Sequence, residues 1–229
     1  MNRRLGIVVS LVVLLLTASA CEKELLNPQQ FMYTSYYEIK QGRYIDYKVT
    51  EITHNEDATI KHDTSIYFMR CIIGDTFVDN AGRVAYEYIR LKRFSESEPW
   101  AQSDLWSTIV ESNKAELVEE NQRIVKLFFP VSKYTEWNAN MFNTDTKMNC
   151  FYKNMHKAKT FNGLSFDSTL VVNQDSSRNL IQYKRKYEVY ANHLGLIKKY
   201  YKDLAINNFD TLNISSGKEI FMEIINFGE

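Results

Sequence analysis

Apolar and polar residues alternate along much of this chain. Ile45, Tyr47 and Val49 share one side of the segment YIDYKVT, and RVAYEYIRL (83–91) alternates in the same way. Between them, SIYFMRCII (65–73) is apolar on both sides apart from one arginine. A period of two indicates strands, and the turn residues of DNAG precede the third segment. The three segments therefore predict an antiparallel meander.

The second half of the chain contains further strand-like runs. Strands are predicted at RIVKLFFPV (123–131), GLSFDSTLVVNQ (163–174), LIQYKRKYEVYA (180–191) and GKEIFMEIINFG (217–228). DSSRN lies between the second and third of these and indicates a hairpin loop. Within 180–191 the odd-numbered residues are mostly apolar, so we expect them to point inward.

Two segments are ambiguous between helix and strand. In PWAQSDLWSTIVES, Asp104 fits the cap of a short helix, but a strand is equally compatible. In 193–206, Ile197, Tyr200 and Leu204 have helical spacing, whereas Gly195 disfavours a helix. The segment YANHLGLIKK resembles a Tyr-Ala, Gly-Leu-Ile-Lys segment of β-rich bacterial lipoproteins, which favours a strand there.

About eight strands with short connections, and no alternation with long helices, indicate a mainly β protein with antiparallel pairing. We expect one domain over residues 36–229: a strongly curved sheet, half-barrel or sandwich with one short helix. The 14% aromatic content, with 15 Tyr and 13 Phe, fits half-buried sheet surfaces.

The N-terminus follows a different pattern. Arg3 and Arg4 precede an apolar run, and small residues at 17–20 follow it. This order is typical of a secretory signal, so residues 1–20 are predicted to be a signal peptide. The alternative, a membrane-spanning helix, needs about 20 mainly apolar residues, and this run is shorter.

The end of this segment, Ala18-Ser19-Ala20-Cys21, resembles the lipobox of bacterial lipoproteins, although Leu is commoner at the first position. The resemblance implies a lipid on Cys21, cleavage before it, and attachment to the membrane through that lipid. Residues 21–35 would form a tether. The EKE that follows resembles the export tag of Bacteroidota surface lipoproteins. The implied location is the bacterial cell envelope, anchored to the outer membrane on its periplasmic face or at the cell surface.

Two further predictions depend on a location in the cell envelope. Cys71 and Cys150 remain after Cys21 and are a candidate disulfide in an oxidising compartment, the alternative being two buried thiols. The tripeptides DST and DTL resemble O-glycosylation sites of Bacteroidota envelope proteins, which makes Ser168 and Thr211 candidates.

Charge and motifs restrict the function. Without residues 1–20 the chain has 26 basic and 28 acidic side chains, a net charge near −2, so no nucleic-acid partner is expected. The four histidines lack metal-ligand spacing, and no catalytic motif occurs. His54 and His62 flank NEDATIK, which fits a cation site less well than a solvated hairpin tip. We predict no catalytic residue, metal or cofactor.

The function expected from the sequence is a non-enzymatic binding or assembly module that contacts another envelope protein or a glycan. A carrier with a lipid or other apolar ligand in a curved sheet is the alternative, and a hydrolase with an unrecognised site is the third. An open apolar cavity would favour the carrier. A cleft with convergent histidines and carboxylates would favour the hydrolase.

Overall fold

Twelve antiparallel strands form a single sheet in residues 32–229, the part of the chain that this computed structural model describes. The strands are β1 Tyr44–Asn55, β2 His62–Val78, β3 Val84–Arg93, β4 Ala101–Val110, β5 Lys114–Glu119, β6 Gln122–Phe128, β7 Glu136–Asn138, β8 Asn149–Phe161, β9 Leu164–Arg178, β10 Gln182–Ala191, β11 Gly195–Asn207 and β12 Asp210–Gly228. A short 3-10 turn, Thr34–Tyr37, precedes them.

Except for β6 and β7, strands that are neighbours in the chain pair with each other, and β1 also pairs with β12, so the order runs β6-β5-β4-β3-β2-β1-β12-β11-β10-β9-β8-β7. The sheet curves until its two edge strands, β6 and β7, meet, and the result is a nearly closed, barrel-like sheet. The Val125 N–H donates to the Ala139 carbonyl over 2.9 Å. The Trp137 indole N–H donates to the Val125 carbonyl, also over 2.9 Å. We call this meeting of β6 and β7 the seam.

The predicted fold class is confirmed, since the described residues are almost entirely antiparallel β. The meander of 44–50, 65–73 and 83–91 is present as β1, β2 and β3. Residues 193–206 lie mostly in β11, as the strand alternative required.

The predicted short helix is wrong for the described residues, where the 3-10 turn is the only helical element. The segment around Asp104 is β4, in register with β3 through the pair Tyr88 and Trp106. β4 pairs with β3 over residues 101–108 and with β5 over residues 107–110, and this pairing outweighs a local helix cap.

The core consists of two clusters of buried residues. The first lies against the seam and includes Tyr36, Leu127, Trp137, Tyr152 and Leu170. The second involves β1, β2 and the β10–β12 region and includes residues such as Tyr47, Met69, Val189, Ile197 and Ile224. Near the end of β10, four consecutive residues, 188–191, are buried, so both faces of the strand are covered.

The predicted signal peptide 1–20, Cys21 and most of the predicted tether lie outside the described residues. Residues 32–35, the last part of the predicted tether, belong to the same compact unit as the sheet, Met32–Glu229. Within that unit, the Ser35 hydroxyl donates to the Asn192 side chain over 2.6 Å. No helix of residues 32–229 has the length and hydropathy of a membrane span.

Candidate functional site

A cavity of about 100 Å³ lies inside the curved sheet, and we call it the interior cavity. Side chains from β1–β6, from β10–β12 and from the 3-10 turn line it, so opposite sides of the sheet contribute. The apolar part of its lining consists of Ile39, Ile45, Met69, Cys71, Ile73, Leu117, Leu194, Leu196 and Met222. For scale, an engineered cavity of about 150 Å³ holds one benzene ring. The interior cavity is therefore large enough for a small ligand group or a few waters.

A buried ion network forms part of the wall. The Lys126 ammonium donates to Glu188 Oε1 over 2.7 Å and lies 3.5 Å from Glu119 Oε1. The Tyr190 hydroxyl donates to the other oxygen of Glu188 over 2.6 Å. The Glu188 carboxylate is fully buried, and these donors replace the water that it loses on folding.

The charges of this network stabilise one another. Burial raises the pKa of Glu188, but the ammonium groups of Lys126 and Lys199, with the hydrogen bonds from Lys126 and Tyr190, outweigh burial and leave this pKa below its usual value. Burial likewise lowers the pKa of Lys126, but Glu188 and Glu119 reverse this effect and raise it. Both groups are therefore charged at neutral pH.

Tyrosine hydroxyls surround the network. Burial raises the pKa of Tyr37 to about 12, although a hydrogen bond with Thr108 opposes the shift. Burial also places the pKa values of Tyr47 and Tyr190 well above the usual value. The Tyr47 hydroxyl donates to the Leu196 carbonyl over 2.8 Å. These hydroxyls therefore remain neutral and act as hydrogen-bonding groups.

Lys199 lines the interior cavity and makes no side-chain hydrogen bond or ion pair with any other residue in 32–229. It lies opposite Glu188 in the register of β10 and β11. Because Glu188 already accepts from Lys126 and Tyr190, the Lys199 ammonium is the cation of the cavity that remains available to a ligand.

The opposite wall carries an aromatic and cationic group. Tyr88 and Trp106 stack with ring centroids 6.3 Å apart, and the Arg90 guanidinium lies 3.9 Å above the Trp106 ring. Asp104 pairs with Arg90 at 3.0 Å. The charge of Arg90 is thus already balanced, and this wall presents mainly the flat faces of the rings.

The candidate disulfide pair, Cys71 and Cys150, consists of two free, buried thiols in this structure, which is the alternative that the sequence left open. Cys71 lies at the interior cavity in one core cluster, whereas Cys150 lies in the other cluster beside the seam. Burial raises the pKa of Cys71 to about 11 and that of Cys150 to about 12. The structure thus keeps both thiols protonated and apart.

The glycosylation candidates lie away from the cavity. The Ser168 hydroxyl is 2.6 Å from the Tyr36 hydroxyl, and Ser168 is half-buried in β9. Thr211 lies at the turn between β11 and β12, beside the highly exposed Leu212. Of the two, Thr211 is the one whose neighbourhood is open.

None of the four histidines lines the interior cavity. His156 contacts Tyr36, His193 lies near Glu38, and His54 and His62 contact each other. Within residues 32–229 no group of three or more His, Cys, Asp or Glu side chains is placed to hold a metal ion.

An exposed apolar surface occurs at the adjacent turns β9–β10 and β11–β12. Ile181 is 72% exposed and Leu212 is 88% exposed, and Leu180 and Phe209 on the same two turns are exposed as well. The Phe209 N–H donates to the Leu180 carbonyl over 3.2 Å, which joins the two turns. We call these four residues the turn patch.

Reasoning from the sequence missed the charged residues of the interior cavity, Lys126, Glu188 and Lys199. On the sequence, Glu188 and Lys186 share the face of β10 that was predicted to be wet. The sequence did contain one indication: Lys126 is the only lysine in the apolar run RIVKLFFPV. A charged residue in a buried strand requires a partner of opposite charge.

Comparisons with known proteins add little to this description. No family model matches the chain, and no curated protein matches it. Among solved structures, a candidate lipoprotein from Parabacteroides distasonis ATCC 8503 is similar, with a TM-score of 0.41 and 10% sequence identity. The similarity covers 84% of this chain and 98% of that one.

Proposed function

We propose that this chain is a lipid-anchored protein of the bacterial cell envelope that binds a small amphipathic ligand in its interior cavity and catalyses no reaction. The observation that carries the binding function is the cavity itself, which has an apolar wall and a few converging polar groups. That combination is typical of small-molecule sites. The anchor is supported by the signal pattern and by Cys21.

The ligand's apolar part is expected to contact the aliphatic wall. Ile45, Leu117 and Met222 come from three different strands and face the same space. Transfer of each methylene from water to such a site contributes about 0.8 kcal/mol. A short aliphatic chain is the apolar group expected for a volume of about 100 Å³, which is smaller than the cavity of about 150 Å³ that holds a benzene ring.

The ligand's polar end is expected to be an anion at Lys199. The other cations at the cavity are already paired: Lys126 with Glu188, Arg90 with Asp104, and Arg43 with Glu38 and Glu229. A carboxylate at Lys199 would gain a charge-assisted hydrogen bond without breaking an existing pair. We therefore propose short-chain or medium-chain carboxylates as the ligand class to test first.

The same groups argue against catalysis at this site. The Cys71 thiol has a raised pKa, so it is a poor nucleophile at neutral pH. Glu188 is ionised and accepts two hydrogen bonds, so it lacks the raised pKa of a general acid. The proposal therefore predicts no turnover on ester, glycoside, peptide or phosphate substrates, with or without added divalent metal.

The binding test uses the purified full chain and isothermal titration with hexanoate, compared with hexanol. Hexanoate is expected to bind one-to-one and more tightly than hexanol. Met222→Trp, which fills the cavity, should abolish binding of both ligands. Lys199→Met should remove the preference for hexanoate, and Lys218→Met, which changes an exposed lysine, should leave binding unaltered. Hexanoate binding that persists in Met222→Trp would place the ligand elsewhere and contradict the proposal.

The anchor is tested separately by mass spectrometry of the protein isolated from its native membrane. The proposal predicts an acylated Cys21 at the N-terminus and the absence of residues 1–20. An unmodified Cys21 or a retained Met1 would contradict the lipoprotein assignment.

A second candidate function is binding to another envelope protein, and the turn patch favours it. Phe209 has φ 62°, a left-handed backbone conformation that is unusual for an aromatic residue, and its ring is exposed. Exposed apolar groups gathered on paired turns are typical of protein contacts. A photo-crosslinker at position 181 or 212 is expected to give one shared product in cells, and a crosslinker at the exposed Tyr134 is the control.

A further inference from the structure

His54 and His62 lie directly opposite each other near the turn end of the β1–β2 hairpin. The Asn55 N–H donates to the Lys61 carbonyl over 3.0 Å, which makes 55 and 61 the hydrogen-bonded pair. The next pair, His54 and His62, is then the non-hydrogen-bonded type, in which side chains approach most closely. Accordingly, the two Nδ1 atoms are 2.8 Å apart.

The other nitrogen of His54 has a fixed partner. His54 Nε2 lies 3.1 Å from Glu219 Oε1, and Lys202 pairs with the second oxygen of Glu219. A carboxylate accepts and does not donate, so Nε2 carries the proton of the neutral His54 ring. The lone pair of His54 is therefore on Nδ1, on the side of His62.

The hydrogen bond from His54 to Glu219 is of the kind found at metal-ligating histidines. A ligating histidine almost always donates its second ring N–H to a carboxylate or carbonyl, which fixes the tautomer and the orientation of the ring. His54 and Glu219 are both buried, so their contact is held by the sheet. With the lone pair of His54 on Nδ1, the 2.8 Å contact is a hydrogen bond donated by His62 Nδ1–H. His62 is exposed, so its ring can give up that proton to water and present the Nδ1 lone pair to a shared ion.

We propose that His54 and His62 form a binding site for a divalent transition metal, with Cu²⁺ as the best fit. Two imidazole nitrogens at about 2.05 Å from a metal lie about 2.9 Å apart at a right angle and about 3.3 Å apart at the tetrahedral angle. The observed 2.8 Å agrees with the right angle of tetragonal Cu²⁺ or Ni²⁺ coordination. Water or an external ligand fills the remaining positions.

The test uses the purified full chain, without a histidine tag, titrated with CuSO₄, NiCl₂ and ZnCl₂. One equivalent of Cu²⁺ is expected to bind most tightly, with an electron paramagnetic resonance spectrum that shows splitting from two nitrogens. His62→Ala should weaken Cu²⁺ binding by about tenfold or more and leave one nitrogen, and because His62 is exposed this variant should fold. Glu219→Gln should weaken binding by about 10- to 100-fold with both nitrogens retained.

His193→Ala is the matched control, since it removes an exposed histidine that does not contact this pair. It should leave both the affinity and the spectrum unaltered. The proposal is overturned if His62→Ala binds Cu²⁺ like the parent protein, or if His193→Ala removes as much affinity as His62→Ala.

Discussion

The Lys126 ammonium donates a hydrogen bond of 2.7 Å to the Glu188 carboxylate, and this contact joins β6 to β10, two strands that are not neighbours in the sheet. Both residues are buried. A buried ion pair of this kind gives a modest net gain, because desolvation of the two charges opposes their attraction. Removal of one partner, however, leaves the other charge buried without compensation.

Lys126→Met is therefore expected to lower the free energy of unfolding by about 3 kcal/mol or more. Urea denaturation, monitored by circular dichroism, measures this change in the free energy of unfolding. The matched control is Lys218→Met, which breaks the more exposed pair with Glu51 and should lower the free energy by less than about 1 kcal/mol. Equal effects of the two substitutions would show that the Lys126–Glu188 pair is not buried.

A loss of stability in acid is expected from the same pair. The pKa of Glu188 is lower in the folded protein than its unfolded value of about 4.3. Its ionisation therefore stabilises the fold above that pH, and this stabilisation is lost as the pH falls through the folded pKa. The free energies of unfolding of the parent and Glu188→Gln should differ most at neutral pH. They should converge as the pH falls below about 4.3 and through the folded pKa, and a constant difference would contradict the lowered pKa of Glu188.

Closure of the seam depends on Trp137. Its ring packs on Tyr152 with centroids 4.9 Å apart, and its N–H bonds to the Val125 carbonyl across the seam. Trp137→Ala should lower the free energy of unfolding by about 3 to 5 kcal/mol. Trp137→Phe keeps an aromatic ring and should cost less, and Tyr134→Ala, at an exposed site, should stay within about 0.5 kcal/mol. Amide exchange at Val125 reports directly on the seam.

A thiol titration tests whether Cys71 and Cys150 are free thiols or a disulfide. Because burial raises both pKa values, neither cysteine should react with Ellman's reagent at pH 8 in the folded protein. In guanidinium chloride both should react at once. A protein that releases these thiols only after reduction would show the disulfide that the sequence allowed, and would contradict the separation seen in this structure.

Much of the fold was predictable from local pattern. Strands β1 and β3 follow runs in which the period of two is clear, whereas β2 follows a run that is apolar on both sides. The fold class therefore followed from the strand runs, their short connections and the lack of long helical segments between them. The proposed anchor also rests on sequence alone, because the signal pattern and Cys21 lie outside the described residues.

Faces and contacts between distant segments were decided by tertiary structure. The alternation of β10 predicted an inward Ile181, yet this residue is 72% exposed, while Glu188 on the opposite face is fully buried. The end of β10 lies between two core clusters, so both of its faces are covered, and no local pattern can show which side becomes the cavity. Lys126 lies 62 residues from its partner Glu188 and reaches it across the curved sheet, and the pairing of β1 with β12 brings Glu219 beside His54.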